Sequence, residues 1–368
     1  MLGFVKKEAV FVIALFFALV TAFFNPPSGE YIEAIDFRTL GLLFSLMGIS
    51  EGLKESGFFS SCSSLLLRKS RNMKMLSMLL VLMVFLLSML FTNDVSLIMF
   101  VPFSILMLEK EGADERYIAR LVTLETISAN LGSMTTPVGN PQNIYLCSVY
   151  QIEAGNFFAT ILPYSALSLI LVLASAYFFL KSDEMLKSED EGRSKTGAKS
   201  YVYIFLLFLA LLTVFNIISW IILVVAELVI MLVMDRKIIK RIDYVLLLTF
   251  ICFFIFSANI RKIDGIASLI SAPMEMNGML TSALTSQVIS NVPSAIFLSA
   301  FTDNYKDLLI GTNLGGLGTP IASLASLISL KLYFKRKEVR KGYYMAFFLI
   351  LNFFLLGLLL SIAVFLNR

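Results

Sequence analysis

Four polar clusters interrupt an otherwise apolar chain, and all four offer oxygen ligands. They are Thr92-Asn93-Asp94, the run from Asn130 through Gly132, Ser133, Thr136, Pro137 and Gly139 to Asn140, the pair Ser290-Asn291, and the run from Asn313 through Gly315 and Gly316 to Thr319-Pro320. Amide and hydroxyl oxygens can replace part of the water around a small cation. Gly permits unusual dihedrals and Pro removes a backbone donor, so the two longer runs predict unwound helix. Unwinding frees carbonyls that can hold Na⁺ and exposes half-helix N-termini that attract an anion. Na⁺ ligands are expected from Asn93, Asp94, Asn130, Asn291 and Asn313. Asp94 is the sharpest candidate, since a charge at mid-membrane costs about 2.5–3.5 kcal/mol on insertion scales. It would bind a coupling cation, Na⁺ or H⁺. A bare carboxylate repels an anion by about 4 kcal/mol at about 4 Å in an effective dielectric of about 20, so neutralising it would couple ion to solute. The competing reading is a helix cap at the tip of a hairpin.

The same residues exclude much other chemistry. The chain has no His, which removes His metal sites, His proton relays and Ser-His-Asp catalysis. Cys62, Cys147 and Cys252 lie far apart and read as small apolar packing groups. No phosphate-binding loop is present, so direct use of ATP by this chain is not expected. An intramembrane aspartyl protease needs a second carboxylate facing Asp94, and no motif supplies one. The net charge of +4 is too small to suggest nucleic acid as a partner. No cofactor is called for beyond the coupling ion.

Apolar residues make up 58% of the 368 residues, against about 45–50% in soluble domains. With a mean hydropathy of +0.84 the chain is read as an integral membrane protein. A span needs about 20 apolar residues. Spans are predicted over Glu8–Phe24, Arg38–Leu53, Phe157–Leu180, Tyr201–Ile218, Trp220–Met234, Asp243–Asn259 and Tyr343–Leu366. Lys6 and Lys7 precede the first, which lacks a small-residue cleavage site and is expected to be retained. Basic clusters after Leu53, after Met234 and before Tyr343 mark the cytoplasmic side, with the acidic segment Asn25–Asp36 opposite. The N-terminus is therefore expected inside and the C-terminus outside the cytoplasmic membrane. Glu125 is expected to face the cavity or to pair with Arg116 or Arg120, and Glu227 needs a partner on another helix or a proton.

The two halves echo each other. Ile35-Asp36-Phe37 and Ile242-Asp243-Tyr244 open similar apolar runs, Asn93 matches Asn291, and Asn130-Leu131-Gly132 to Thr136-Pro137 matches Asn313-Leu314-Gly315 to Thr319-Pro320. By charge the copies run in opposite senses. The arms around Thr92–Asp94, and the segment Pro273–Ala300 with Ser290-Asn291 at its tip, are too short to cross comfortably and are read as re-entrant hairpins. The expected fold is thus an all-α polytopic membrane protein with inverted repeats, two re-entrant helical hairpins and two broken helices. Its parts are an N-terminal helix (1–34), a first repeat (35–180), a cytoplasmic linker (181–200), linking helices (201–236) and a second repeat (237–368). Inverted repeats with broken helices are transporter architecture, with the site near the midplane.

These motifs, extended by Phe100-Val101-Pro102, Val138-Gly139-Asn140-Pro141-Gln142-Asn143 and Val292-Pro293, resemble the ion transporter superfamily. That superfamily includes divalent anion–sodium symporters, citrate transporters, arsenite permeases and one class of sodium–proton antiporters. The closest likeness is to citrate-transporter-like permeases. The resemblance implies that Asn93 and Asn291 sit at hairpin tips that hold substrate beside two cation sites, completed by the breaks at 130–139 and 313–320. It also implies elevator-type motion, often in a homodimer; a separate ATPase subunit, as some arsenite permeases have, stays open. This sequence has Val292 where the dicarboxylate symporters carry a tip hydroxyl. The expected function is ion-coupled secondary transport of a small anion such as a carboxylate or sulfate. Arsenite or antimonite efflux, sodium–proton antiport and a passive channel remain as alternatives.

Overall fold

The computed structural model describes residues 8–182, 184–186, 197–337 and 339–367. Lys6, Lys7 and most of the linker segment lie outside the described residues. The molecule is an all-α polytopic membrane protein. Three helices among the described residues are long and apolar enough to cross a bilayer: α9 (Ala154–Phe179), α12 (Tyr244–Arg261) and α17 (Lys341–Leu366). Of the other expected spans, Arg38–Leu53 lies in a 19-residue helix, α3 (Phe37–Glu55), and three are shorter. α1 (Ala9–Phe24), α10 (Lys199–Val214) and α11 (Trp220–Met234) have 16, 16 and 15 residues. At 1.5 Å per residue such helices cover about 24 Å of an apolar layer about 30 Å thick, a shortfall that thinning of the bilayer absorbs. Large apolar side chains cover their outer faces: Phe16 and Phe23 on α1, Phe205 and Phe208 on α10, Ile350 and Phe354 on α17. Such a surface requires lipid around it.

Inside this belt lie the interrupted elements. α3 (Phe37–Glu55) and α12 are counterparts with matching starts. Asp36 caps α3 by accepting from the Thr39 amide at 3.1 Å, and Asp243 caps α12 by accepting from the Leu246 amide at 3.0 Å. α3 packs against α10 and α11, and α12 against α1. Arg38 reaches from the first turn of α3 to the last carbonyls of α10, donating to Val214 O at 2.7 Å and Thr213 O at 3.3 Å. A guanidinium there complements the negative end of a helix dipole. α4 (Phe58–Lys69) follows α3 across Gly57, whose φ of +78° makes the turn. Serines fill α4, so no apolar run marks it in the sequence.

α5 (Met73–Ser88) and α6 (Asn93–Glu111) pack on each other and are joined by residues 89–92. In the second half the matching arm is part of α13 (Asp264–Ile289), longer than the expected start at Pro273. Asn277 leaves helical dihedrals (φ −162°, ψ 88°), and its Oδ1 accepts from the Leu280 amide at 2.9 Å, capping a new helical stretch. Ser290 then joins this arm to α14 (Asn291–Leu298). α7 (Glu115–Ser133) is the most enclosed element, buried at nearly every position from Tyr117 on, among α5, α6, α9, α17 and α16 (Leu324–Phe334). α8 (Pro141–Val149) continues after its break, and α15 (Tyr305–Leu314) ends at the second break.

Candidate substrate and ion site

The tips are built alike. Asn93 opens α6, and its Oδ1 accepts from the Asp94 amide at 3.0 Å. Asn291 opens α14, and its Oδ1 accepts from the Val292 amide at 2.9 Å. Each tip is tied to a break. The Asn93 amide donates to Gly139 O at 3.2 Å and the Thr136 hydroxyl donates to Met89 O. In the second half Gln287 does this work. Its Nε2 donates to Gly315 O at 2.8 Å and Leu317 O at 2.9 Å, its Oε1 accepts from the Thr319 amide at 2.9 Å, and its backbone carbonyl accepts from the Thr319 hydroxyl. The glycines let backbones touch. A Cβ on Gly132 would stand 2.4 Å from Phe85 O, one on Gly139 2.1 Å from Ser133 O, and one on Gly315 2.8 Å from Ala283 Cα. Gly316 lies against the side-chain amide of Asn291.

The breaks then clasp each other crosswise. Asn130, from the first break, accepts from Ser323 Oγ at 2.9 Å and donates to Ser326 Oγ at 3.1 Å. Asn313, from the second, accepts from Asn140 Nδ2 at 2.8 Å and donates to Asn143 Oδ1 at 2.7 Å. Ser323 and Ser326 occupy the places after Pro320 that Asn140 and Asn143 occupy after Pro137. Residue contacts counterpart in both directions, which is the pattern a local two-fold axis produces. Asn130 also accepts from Asn93 Nδ2 at 3.1 Å and donates to Gly316 O at 3.3 Å, so one amide joins the first tip to the second break. Ser133 completes the clasp by accepting from Asn140 Nδ2 at 3.3 Å.

The tips meet at one small cavity of about 20 Å³, room for about one water. Asn93, Asp94, Gln142, Asn291, Val292 and Ser323 line it, with Phe250 and Leu246 of α12 as its apolar wall. Asp94 also lines a larger vestibule of about 250 Å³ that runs between α12 and α16 to Asp243, Lys331 and Glu8. Asp94 is half-buried, and its carboxylate has no hydrogen-bond or ion-pair partner among the described residues. Thr92 precedes α6 without a side-chain cap bond, so the expected capping role at this tip is taken by Asn93.

The five expected Na⁺ ligands therefore differ in availability. Asn130 Oδ1 accepts two donors and Asn313 Oδ1 accepts one, all from within the clasp. Asp94 and the amide of Asn291 face the cavity. Residue-type reasoning missed Ser323, Ser326, Gln287 and Gln142. Extending the repeat past Pro320 would have found the serines. Gln142 is buried, with Oε1 lacking any partner, and its counterpart by register is Ala325, so no repeat signal marks it.

The other buried carboxylates are separate from this cavity. Glu125 pairs with neither Arg116 nor Arg120. Ser104 of α6 donates to its Oε1, while Arg120 goes to the Tyr343 hydroxyl and Phe179 O, and Arg116 lies over the Tyr343 ring. Glu227 of α11 is pressed against Gly48 of α3. Ser45 and the backbone of Ile49 lie near it, but neither oxygen completes a hydrogen bond of good geometry.

Comparison with known proteins identifies the family of the chain. Residues 3–306 match the citrate transporter family. An uncharacterized transporter of Methanocaldococcus jannaschii is 32% identical over 305 residues, 82% of this chain and 83% of that protein. The inner membrane protein YbiR of Escherichia coli is 28% identical over 334 residues, 89% of this chain and 88% of that protein. The silicon efflux transporter of Oryza sativa is 32% identical over 146 residues, 39% of this chain and 29% of that protein.

Proposed function

Because this chain belongs to the citrate transporter family, we propose that it is an ion-coupled secondary transporter that moves a small anion, a carboxylate or sulfate, across the cytoplasmic membrane. The observation that carries this reading is the unpaired carboxylate of Asp94, set between a small cavity lined by both tips and a larger vestibule. Asp243 and Lys331 at the far end of that vestibule adjoin the basic clusters at 236–241 and 331–341 in sequence, and the positive-inside bias supports a cytoplasmic assignment of that end. A cation or proton on Asp94 cancels the charge that would repel an anion. The anion then accepts hydrogen bonds from the side-chain amides of Asn93, Asn291 and Gln142. When the ion leaves, repulsion returns and the anion departs through the vestibule. The crosswise clasp supports an inverted pair of repeats, with the two tips as re-entrant hairpins meeting near the midplane. A cavity this small supports alternating access in preference to a passive channel.

A second reading, efflux of a neutral oxyacid such as arsenite or antimonite, is favoured by Val292. It leaves the second tip with the Ser290 hydroxyl alone, one fewer than a second carboxylate would find in a Ser-Asn-Thr tip. The silicon efflux relative has a cargo of related chemistry. Uptake into proteoliposomes, with a panel of carboxylates, sulfate and arsenite and with Na⁺ and pH gradients varied separately, decides between them. Asp94→Asn is expected to abolish ion-driven uptake. Full ion-driven uptake by that variant would overturn the mechanism.

A further inference from the structure

Glu125 lies outside the cavity just described, yet it is fully buried, and its Oε2 has no partner. On α17 Tyr344 is equally buried. Its hydroxyl faces Thr123, Thr126 and Glu125 without completing a hydrogen bond of good geometry. The Tyr344 ring stacks on that of Tyr333, with centroids 4.4 Å apart. The Tyr333 hydroxyl donates to Glu115, which is held by Arg336 at 2.8 Å. Glu109, Glu115 and Arg336 line a wide pocket of about 850 Å³ at the basic end. On the inner side Thr126 lies one helical turn from Asn130, the amide that joins tip and break. A stacked tyrosine pair thus lies between an open pocket and a buried acid, and that acid shares α7 with Asn130 of the clasp.

We propose that Glu125 is a second proton-binding site, with the Tyr344 hydroxyl as the neighbour of its protonated form, and that its proton is a coupling ion of the transport cycle. This rests on the reading of the chain as an ion-coupled transporter. The proton adds to Oε2, while Oε1 keeps the Ser104 donor, and the new O–H donates to the Tyr344 hydroxyl. On release that O–H bond breaks and the proton leaves to water past the same hydroxyl; no bond other than O–H forms or breaks. Of the elements packed on α7, α6 presents Ser104, α17 presents Tyr344 and α16 carries Tyr333. No other charged group influences Glu125 among the described residues. A buried glutamate with an ion-pair partner would be structural. This one has a hydroxyl on one oxygen, an open oxygen on the other, and an unpaired tyrosine hydroxyl beside it.

The test uses the full protein in liposomes and begins without transport. Infrared difference spectra between acid and alkaline pH are expected to show a protonated-carboxyl band that disappears in Glu125→Gln. A hydrophobic carbodiimide is expected to modify Glu125 in its protonated form, and Tyr344→Phe is expected to slow the loss of that reactivity after a jump to alkaline pH. Glu227, the other fully buried glutamate among the described residues, serves as the internal reference that Tyr344→Phe leaves unchanged. In transport, Glu125→Gln is expected to keep substrate exchange at equal pH and to lose stimulation by a pH gradient, whereas Asp94→Asn loses ion-driven uptake altogether. A Glu125 carboxyl that shows no protonation change overturns the proposal, as does full pH-gradient stimulation in both Glu125→Gln and Tyr344→Phe. If wild-type uptake proves indifferent to every ion gradient, the transport reading fails instead, and the infrared and labelling results still report on Glu125 alone.

Discussion

Replacing Asn130 by alanine probes the clasp at its most connected point. The amide makes four hydrogen bonds, to Asn93 Nδ2, Ser323 Oγ, Ser326 Oγ and Gly316 O. In Asn130→Ala the two serine hydroxyls can rotate toward other acceptors. The Asn93 amide, fixed at the start of α6, and the Gly316 carbonyl, held in the break between the two carbonyls that Gln287 binds, stay unsatisfied. Each orphaned buried group costs about 1–3 kcal/mol, so the variant is expected to lose about 2–6 kcal/mol. Denaturant unfolding of the purified protein in mixed micelles measures it. The sharper assay is the double variant with Asn93→Ala. Removing both partners removes one orphan, so the double loss is expected to fall short of the sum by about 0.5–3 kcal/mol. A loss under about 0.5 kcal/mol in Asn130→Ala, or additive losses in the cycle, would refute the argument.

Three further outcomes follow from particular contacts. Gly132→Ala and Gly315→Ala push a Cβ into the backbone of Phe85 and Ala283, and each is expected to cost about 1–3 kcal/mol and to lower uptake, read by unfolding and transport on the same preparations. Gln142→Leu removes an unpartnered buried oxygen, so stability is expected to hold or rise while KM for the transported anion increases; an unchanged KM would remove Gln142 from the site. Arg38→Met releases the last carbonyls of α10 and is expected to lower stability by about 0.3–2 kcal/mol, checked by the same unfolding assay.

The sequence carried the tips and breaks plainly, because Asn, Asp, Gly and Pro in an apolar run have no cheap explanation in lipid. Asn93, Asp94 and Asn291 line one cavity. Helix lengths were harder to read. Hydropathy does not see the cap at Asn277 that divides α13, nor the serine-filled α4. Partners were hardest. Serine is unremarked in a membrane helix, so Ser323 and Ser326 gained meaning only when the clasp fixed their register. Glu125 sits near two arginines in sequence, but the turn of α7 sends them to Tyr343 and sends Glu125 to Ser104. Distance along a helix in residues is a poor guide when the choice is among neighbouring faces.

The crosswise clasp also constrains how the molecule is made. Asn130 and Asn140 enter the bilayer long before Ser323 and Asn313 exist to receive them. At ribosomal speeds the wait is roughly ten to forty seconds, during which these amides have no water to turn to inside hydrocarbon. The newborn first half must therefore either linger at the insertion machinery or borrow partners from it. Final closure of the molecule is an event that the last-synthesised helices trigger for the whole chain at once.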